Sequence, residues 1–237
     1  MVELPLHGGE LDWARRHFPK YIGAWLDLST GVNPHSYPIP PIAVRDWSHL
    51  PSRAAENDLI AAAADYYGVE SENILPSAGS QALIQILPAL AHSGVRQVEI
   101  LAPSFSEYAR IFQNSGFDVR LIDVFAAEIP PPAAPYRIVV SPNNPTGRNY
   151  DPAQLLAWAA ECAARGGFLW VDEAFADVAE NSVVPYVGRQ KGLVVARSFG
   201  KFFGLAGVRL GFLCATPDFI ALARAKIGPW AVSGPAL

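Results

Sequence analysis

Four short segments of this chain combine reactive side chains with residues that fix or thin the backbone. The richest runs Arg197-Ser198-Phe199-Gly200-Lys201-Phe202-Phe203-Gly204-Leu205-Ala206-Gly207-Val208-Arg209. Cations and a hydroxyl lie there among glycines and aromatics, and small residues let a backbone approach a ligand closely. A lysine desolvated by aromatic neighbours loses proton affinity and becomes an amine nucleophile. Arg209 suits a phosphate. The plain alternative, a basic surface loop, fits poorly with so apolar a context. In the second segment, Asp172-Glu173-Ala174 follows the apolar run Phe168 to Val171. A carboxylate placed there is partly desolvated and needs a positive partner or a metal. Alone, it could equally be a helix cap or a structural ion pair.

The third segment, Ser141-Pro142-Asn143-Asn144-Pro145-Thr146-Gly147, fixes its backbone with two prolines and a glycine. Asn144 then presents an amide from a rigid turn. A linker turn needs neither the second proline nor paired asparagines. The fourth segment, Ser77-Ala78-Gly79-Ser80-Gln81, opens a helix-like stretch. Free N–H groups at a helix start bind anions, and Ser80 adds a hydroxyl. By itself this signal is weak, because serine at a helix start is usually only a cap.

The elements that must position these segments alternate. Helix signals cover 56–67, 81–91, 105–115, 152–164 and 221–227. Strand signals cover 97–101, 118–122, 137–140, 168–171, 192–196 and 210–215. The strand runs are short, continuous and rich in branched side chains, as suits strands buried on both faces. Their alternation with helices predicts an α/β domain with a mostly parallel sheet. In such sheets ligands bind at the carboxyl ends of the strands, where three of the four segments fall. Residues 129–135, with Pro130, Pro131, Pro132 and Pro135, predict an exposed loop. Residues 1–55 predict an irregular arm with one short helix near 11–18, and 56–237 the large domain.

Bulk properties exclude several classes. The 237 residues are 51% hydrophobic and 17% charged, too apolar for disorder. The net charge of -4, with no basic block, argues against nucleic acid. Cys162 and Cys214 make no disulfide framework, which fits a reducing compartment. Asp12, Arg15 and Arg16 interrupt any signal-peptide core, and no stretch approaches the roughly 20 apolar residues of a membrane span. The expectation is a cytoplasmic protein without membrane or nucleic-acid partners. No Gly-x-Gly-x-x-Gly follows the first strand, which leaves a nucleotide-binding module remote.

In their order, the segments resemble the fold type I pyridoxal-phosphate (PLP) enzymes, in the aminotransferase class that includes histidinol-phosphate aminotransferase. Asn144-Pro145-Thr146-Gly147, Asp172-Glu173-Ala174, Ser198-Phe199-Gly200-Lys201 and Arg209 carry the resemblance. It implies a three-layer PLP-transferase fold, a homodimer, and PLP held on Lys201 as a Schiff base. It implies that Asp172 faces the pyridine nitrogen, that Asn144 donates to the ring oxygen, and that Phe105 stacks on the ring. The phosphate would sit on Gly79, Ser80 and Gln81, with Ser198 and Arg209. Two positions depart from the family: Phe175 stands where a tyrosine often serves the ring oxygen, and Leu50-Pro51 where a Tyr-Pro is common. The resemblance leads to the expectation that the family's small C-terminal domain lies beyond Leu237, in about 100 further residues of a complete protein.

The segments His7-Gly8-Gly9, Trp25 to Pro34 and Ala78 to Gln85 narrow the resemblance to the threonine-phosphate decarboxylases of cobalamin biosynthesis. That subgroup implies release of CO2 from O-phospho-L-threonine to give 1-amino-2-propanol phosphate. His7 is then a candidate for the substrate phosphate, and Asn33 and Asn144 for the substrate carboxylate. The rivals are an aminotransferase, such as one for histidinol phosphate, and a truncated, non-catalytic PLP or phosphate binder.

Overall fold

Each run of branched and aliphatic residues that ends at a polar or small one is a strand in the computed structural model, which describes residues 7–91 and 94–237. The strands are β1 (Ile74–Ser77), β2 (Gln97–Ala102), β3 (Asp118–Asp123), β4 (Tyr136–Val140), β5 (Phe168–Asp172), β6 (Leu193–Ser198) and β7 (Gly211–Cys214). They form one sheet in the order β1-β7-β6-β5-β4-β2-β3. β7 is antiparallel to both its neighbours, while the pairs from β6 to β3 are all parallel. The α/β class with a mostly parallel sheet is therefore observed.

Alternate residues of each strand feed two helical layers, as the period of two requires. On one face, Leu169, Val171, Leu193 and Val195 pack with helices α3 (Arg53–Tyr67) and α6 (Pro152–Ala164). On the other, Phe168, Trp170, Val194 and Ala196 pack with α4 (Ser80–Leu90), α5 (Glu107–Asn114) and α7 (Pro217–Ile227). Local signals set the helix ends. Ser52 caps α3 by accepting from the Ala55 amide, and Gly68 closes it at φ +68°. Asp151 caps α6 by accepting from the Ala153 amide at 2.7 Å.

Three expectations for residues 56–237 change. Strand β1 carried no usable signal, because Pro76 interrupts its four residues. Proline is tolerated there because β1 is an edge strand. Helix α7 begins at Pro217 rather than at residue 221, since Pro217 at its first position starts the turn. The loop at 129–135 is not wholly exposed: Ile129, Pro132, Ala134 and Pro135 are buried. Its backbone serves a buried ion pair, Glu99–Arg137 at 2.6 Å. Ala133 N donates to Glu99, and Pro130 O accepts from Arg137.

Residues 7–52 lie outside the sheet and hold two short helices, α1 (Leu11–His17) and α2 (Val44–Ser48), one more than the sequence predicts. This arm is tied to the lysine segment by two backbone bonds: Asn33 N donates to Lys201 O at 3.0 Å, and Tyr37 N to Phe203 O at 2.8 Å. Among the described residues no helix is long and apolar enough to cross a membrane, and no cluster of potential metal ligands occurs.

Candidate active site

The carboxyl ends of β4, β5 and β6 open into a cavity of about 260 Å³ that also meets the start of α4. Gly79, Ser80, Gln81, Phe105, Asn144, Asp172, Ser198, Lys201 and Arg209 all line it, so the fold brings nine expected residues together. His7 and Asn33 are not in its lining. His7 sits at the margin, its Nε2 3.8 Å from Glu107 and its ring 6.3 Å from that of Phe105. The Asn33 side chain is occupied elsewhere: it donates to Phe202 O at 2.9 Å and accepts from His35 N at 2.9 Å.

Close packing shapes the anion end. Ser77 Oγ donates to the carbonyls of Gly79 and Gly211 and fixes the turn from β1 into α4. A Cβ on Gly211 would fall 2.4 Å from Ser80 N, so only glycine lets the helix start rest on β7. Gly79 has φ +78°, and a Cβ there would fall 2.7 Å from the Arg209 guanidinium. No side chain caps α4. Its first amides are thus left without a side-chain acceptor, beside Arg209, as suits an anion. The guanidinium of Arg209 donates to Ala206 O at 3.2 Å.

The asparagine turn divides its labour. Asn143 binds inward, its Nδ2 donating to Pro103 O and Thr146 Oγ1, while Asn144 faces the cavity. At the opposite end Asp172 is buried at 5% exposure. Its Oδ2 accepts from Tyr108 Oη at 2.6 Å and its Oδ1 from Ala174 N at 3.0 Å. Burial raises its proton affinity, opposed by these two bonds and by the charges of Lys201 and Arg197. Lys201 is half-buried, its Nζ 5.7 Å from the Phe175 ring centroid. Burial lowers its pKa, Asp172 pulls it back up, and Arg209 adds to the lowering.

Several residues escaped the sequence. Tyr108 lies one helical turn beyond Phe105, among the core side chains of α5. Phe175 was singled out only as a departure, yet it lines the cavity. Gly31 of the arm packs on it, since a Cβ there would fall 2.8 Å from the Phe175 ring. Glu107 gathers Gln81, Gln85 and Arg110 around one buried carboxylate. Behind β5 and β6, Arg197 bonds Glu173 at 2.8 Å and Asp177 at 2.5 Å. Their spacing, 24 and 20 residues, gave no local signal.

Residues 42–237 match the family model described as aminotransferase class I and II. The chain is 47% identical over 236 residues to the threonine-phosphate decarboxylase of a Sinorhizobium species, covering 98% of this chain and 69% of that one. Among solved structures it is similar to L-threonine-O-3-phosphate decarboxylase from Porphyromonas gingivalis, with TM-score 0.70 and 23% identity, covering 81% of this chain and 62% of that one. It is also similar to histidinol-phosphate aminotransferase from Sinorhizobium meliloti in complex with pyridoxal-5'-phosphate. There the TM-score is 0.66 and the identity 22%, covering 81% of this chain and 56% of that one. At these identities the two structures speak for the three-layer fold alone.

Proposed function

The chain belongs to the class I and II aminotransferase family, and from that premise we propose that it carries the pyridoxal-phosphate site of a threonine-phosphate decarboxylase. The substrate is O-phospho-L-threonine, and the products are CO2 and 1-amino-2-propanol phosphate, a step of cobalamin biosynthesis. The observation that carries this is the gathering of Lys201, Asp172, Asn144, Arg209 and the start of α4 around one cavity. The choice of substrate rests on the similarity to the Sinorhizobium decarboxylase.

The residues fit the cofactor on physical grounds. Asp172 is a buried carboxylate whose hydrogen-bond partners are both neutral, so a protonated ring nitrogen would complete its charge balance. The anion spot at Gly79, Ser80, Gln81, Ser198 and Arg209 would hold the phosphate, and Asn144 the ring oxygen. Phe105, which lines the cavity, would stack on the ring.

When bound, PLP supplies an electron sink for the pair left as a bond to the substrate's Cα breaks. The chain's residues supply the rest. Lys201, with its proton affinity lowered, is a ready nucleophile and then a proton donor to Cα after CO2 leaves. Asp172 holds positive charge at the far end. Asn144, with His7 of the arm, would orient the substrate so that its carboxylate, rather than its Cα hydrogen, is the group lost, while Asn33, its side chain committed to Phe202 O and His35 N, would hold the arm against the lysine segment. In this arrangement residues 1–55 serve the substrate side and 56–237 the cofactor. The working unit is a cytoplasmic homodimer.

The test is incubation of the full-length protein with PLP and O-phospho-L-threonine. We expect CO2 and 1-amino-2-propanol phosphate without any keto acid added. Keto-acid formation dependent on 2-oxoglutarate would make it an aminotransferase instead. Bound PLP with no turnover of either kind would leave a cofactor binder only.

A further inference from the structure

Tyr108 does not line the cavity, yet its hydroxyl is the closest hydrogen-bond partner of the Asp172 side chain. Its side chain is wholly buried on α5, at 0% exposure. A buried hydroxyl must find partners or cost stability, and this one has two. It donates to Asp172 Oδ2 at 2.6 Å and accepts from Trp170 Nε1 at 2.9 Å. Trp170 is also wholly buried, on β5, two residues before the aspartate. The three side chains form a one-way relay of donors, from indole to phenol to carboxylate, in which each bond polarises the next.

The relay's geometry makes it more than packing. The Tyr108 ring also meets the Phe105 ring edge-on, with centroids 6.2 Å apart. One side chain therefore touches both the carboxylate at one end of the cavity and the aromatic wall beside it. The carboxylate's two oxygens are pinned by different elements, Oδ1 by the Ala174 amide and Oδ2 by α5, which stops its rotation. Burial first, and Asp172 second, push the phenol well above its ordinary pKa, so it remains a donor at every working pH.

We propose that Tyr108 is a positioning residue for the cofactor: with Trp170 behind it, it aims the Asp172 carboxylate and sets how strongly that carboxylate draws the ring-nitrogen proton. This rests on the assignment of Asp172 to the pyridine nitrogen. Removing the phenol hydroxyl takes away a stabiliser of the ionised carboxylate. The carboxylate becomes the stronger base, and the shared proton moves away from the ring.

The experiment compares full-length wild type, Tyr108→Phe and Asp172→Asn, each loaded with PLP labelled with 15N in the ring. Two quantities are read: the dissociation constant of PLP, and the 15N chemical shift of the bound ring. In wild type we expect the shift of a protonated pyridine. In Tyr108→Phe we expect it to move toward the neutral value, and PLP to bind about tenfold more weakly, because α5 no longer pins the carboxylate and the ring nitrogen and carboxylate then meet without full opposite charges. Trp170→Phe, one step further back, should move the shift in the same direction by less, and it serves if Tyr108→Phe does not fold. A Tyr108→Phe protein with a lower Tm but an unchanged 15N shift and affinity would make the tyrosine a packing residue and overturn the proposal. Failure of the underlying assignment looks different: the wild-type ring would be neutral, and Asp172→Asn would bind PLP as well as wild type.

Discussion

Asp172 and Glu173 are adjacent in sequence, equally buried, and opposite in their chemistry. Glu173 closes its accounts inside the protein. It accepts from Arg197 at 2.8 Å, from Ser182 Oγ at 2.7 Å and from Val183 N at 2.7 Å. Arg197 in turn reaches Asp177 and lies over the Tyr67 ring. Asp172, one peptide away and on the cavity side, takes hydrogen bonds from neutral donors only. Burial raises the proton affinity of both carboxylates. For Glu173 a guanidinium in direct contact offsets it. For Asp172 the nearest compensating charges, on Lys201 and Arg197, act through space. The same contrast separates two arginines: Arg197 is buried between two carboxylates, whereas Arg209 is exposed beside the start of α4. A buried charge completed by the protein is scaffold, and one left incomplete is an opening for a ligand.

The sharpest way to break this contrast is to neutralise each carboxylate in turn. Asp172→Asn keeps size and shape but removes the charge that faces the cavity. We expect kcat/KM for the proposed decarboxylation to fall about 10²–10³-fold, the usual cost of losing one preorganised electrostatic group. Its Tm should change little. Glu173→Gln should do the reverse. It leaves Arg197 with a single carboxylate, at a cost of about 3 kcal/mol, the low end for a broken buried pair. In a chain of this length that lowers Tm by about 6–12 °C. PLP affinity, measured well below Tm, should stay within about threefold of wild type, less than 1 kcal/mol. Equal losses of activity and Tm in the two variants would sink the distinction.

This pair also shows what the sequence could disclose. Asp172, Asn144 and Lys201 were legible because each lies at or just past the end of an apolar run, where a parallel sheet must open. The bounds of α6 were legible, whereas α3 starts three residues before the expected 56, at Arg53 after its Ser52 cap. The division between Asp172 and Glu173 was not legible. It depends on Arg197 and Asp177, which only the pairing of β5 with β6 and the turn after Phe175 bring near. Tyr108 was hidden for a similar reason: a tyrosine on the apolar face of α5 reads as core until its hydroxyl is seen against another strand's aspartate. Strand β1 was invisible because edge position, a tertiary fact, is what excuses Pro76.

A smaller effect sharpens the comparison of the arginines. Gly79→Ala places a methyl group 2.7 Å from the Arg209 guanidinium, at a φ of +78° that disfavours any side chain. We expect PLP to bind about tenfold more weakly, about 1.4 kcal/mol. Pyridoxal, which has no phosphate, should bind as it does to wild type. The exposed Arg209 would thus be shown to act on the phosphate alone. If both ligands weaken equally, the glycine supports the cavity in general and not its anion end.

The smallest effect concerns Lys201, whose amine feels both regions at once. Burial lowers its pKa first, the Asp172 charge raises it, and the Arg209 charge lowers it again. A lowered lysine pKa means the neutral, nucleophilic amine appears at lower pH than in a free lysine. Capture of pyridoxal by the apoprotein should therefore rise with pH through a midpoint below the ordinary lysine range. Pyridoxal is the right probe because the phosphate contact then plays no part. Arg209→Gln removes a like charge, favours the ammonium, and should move the midpoint up. Asp172→Asn removes an opposite charge, disfavours the ammonium, and should move it down. Glu173→Gln, on the far side of the sheet with its own arginine, should leave it where it is. Opposite shifts from the two cavity residues, and none from the closed pair, would locate the open charge at the amine itself. A shift of equal size from Glu173→Gln would mean that the sheet does not insulate one carboxylate from the other.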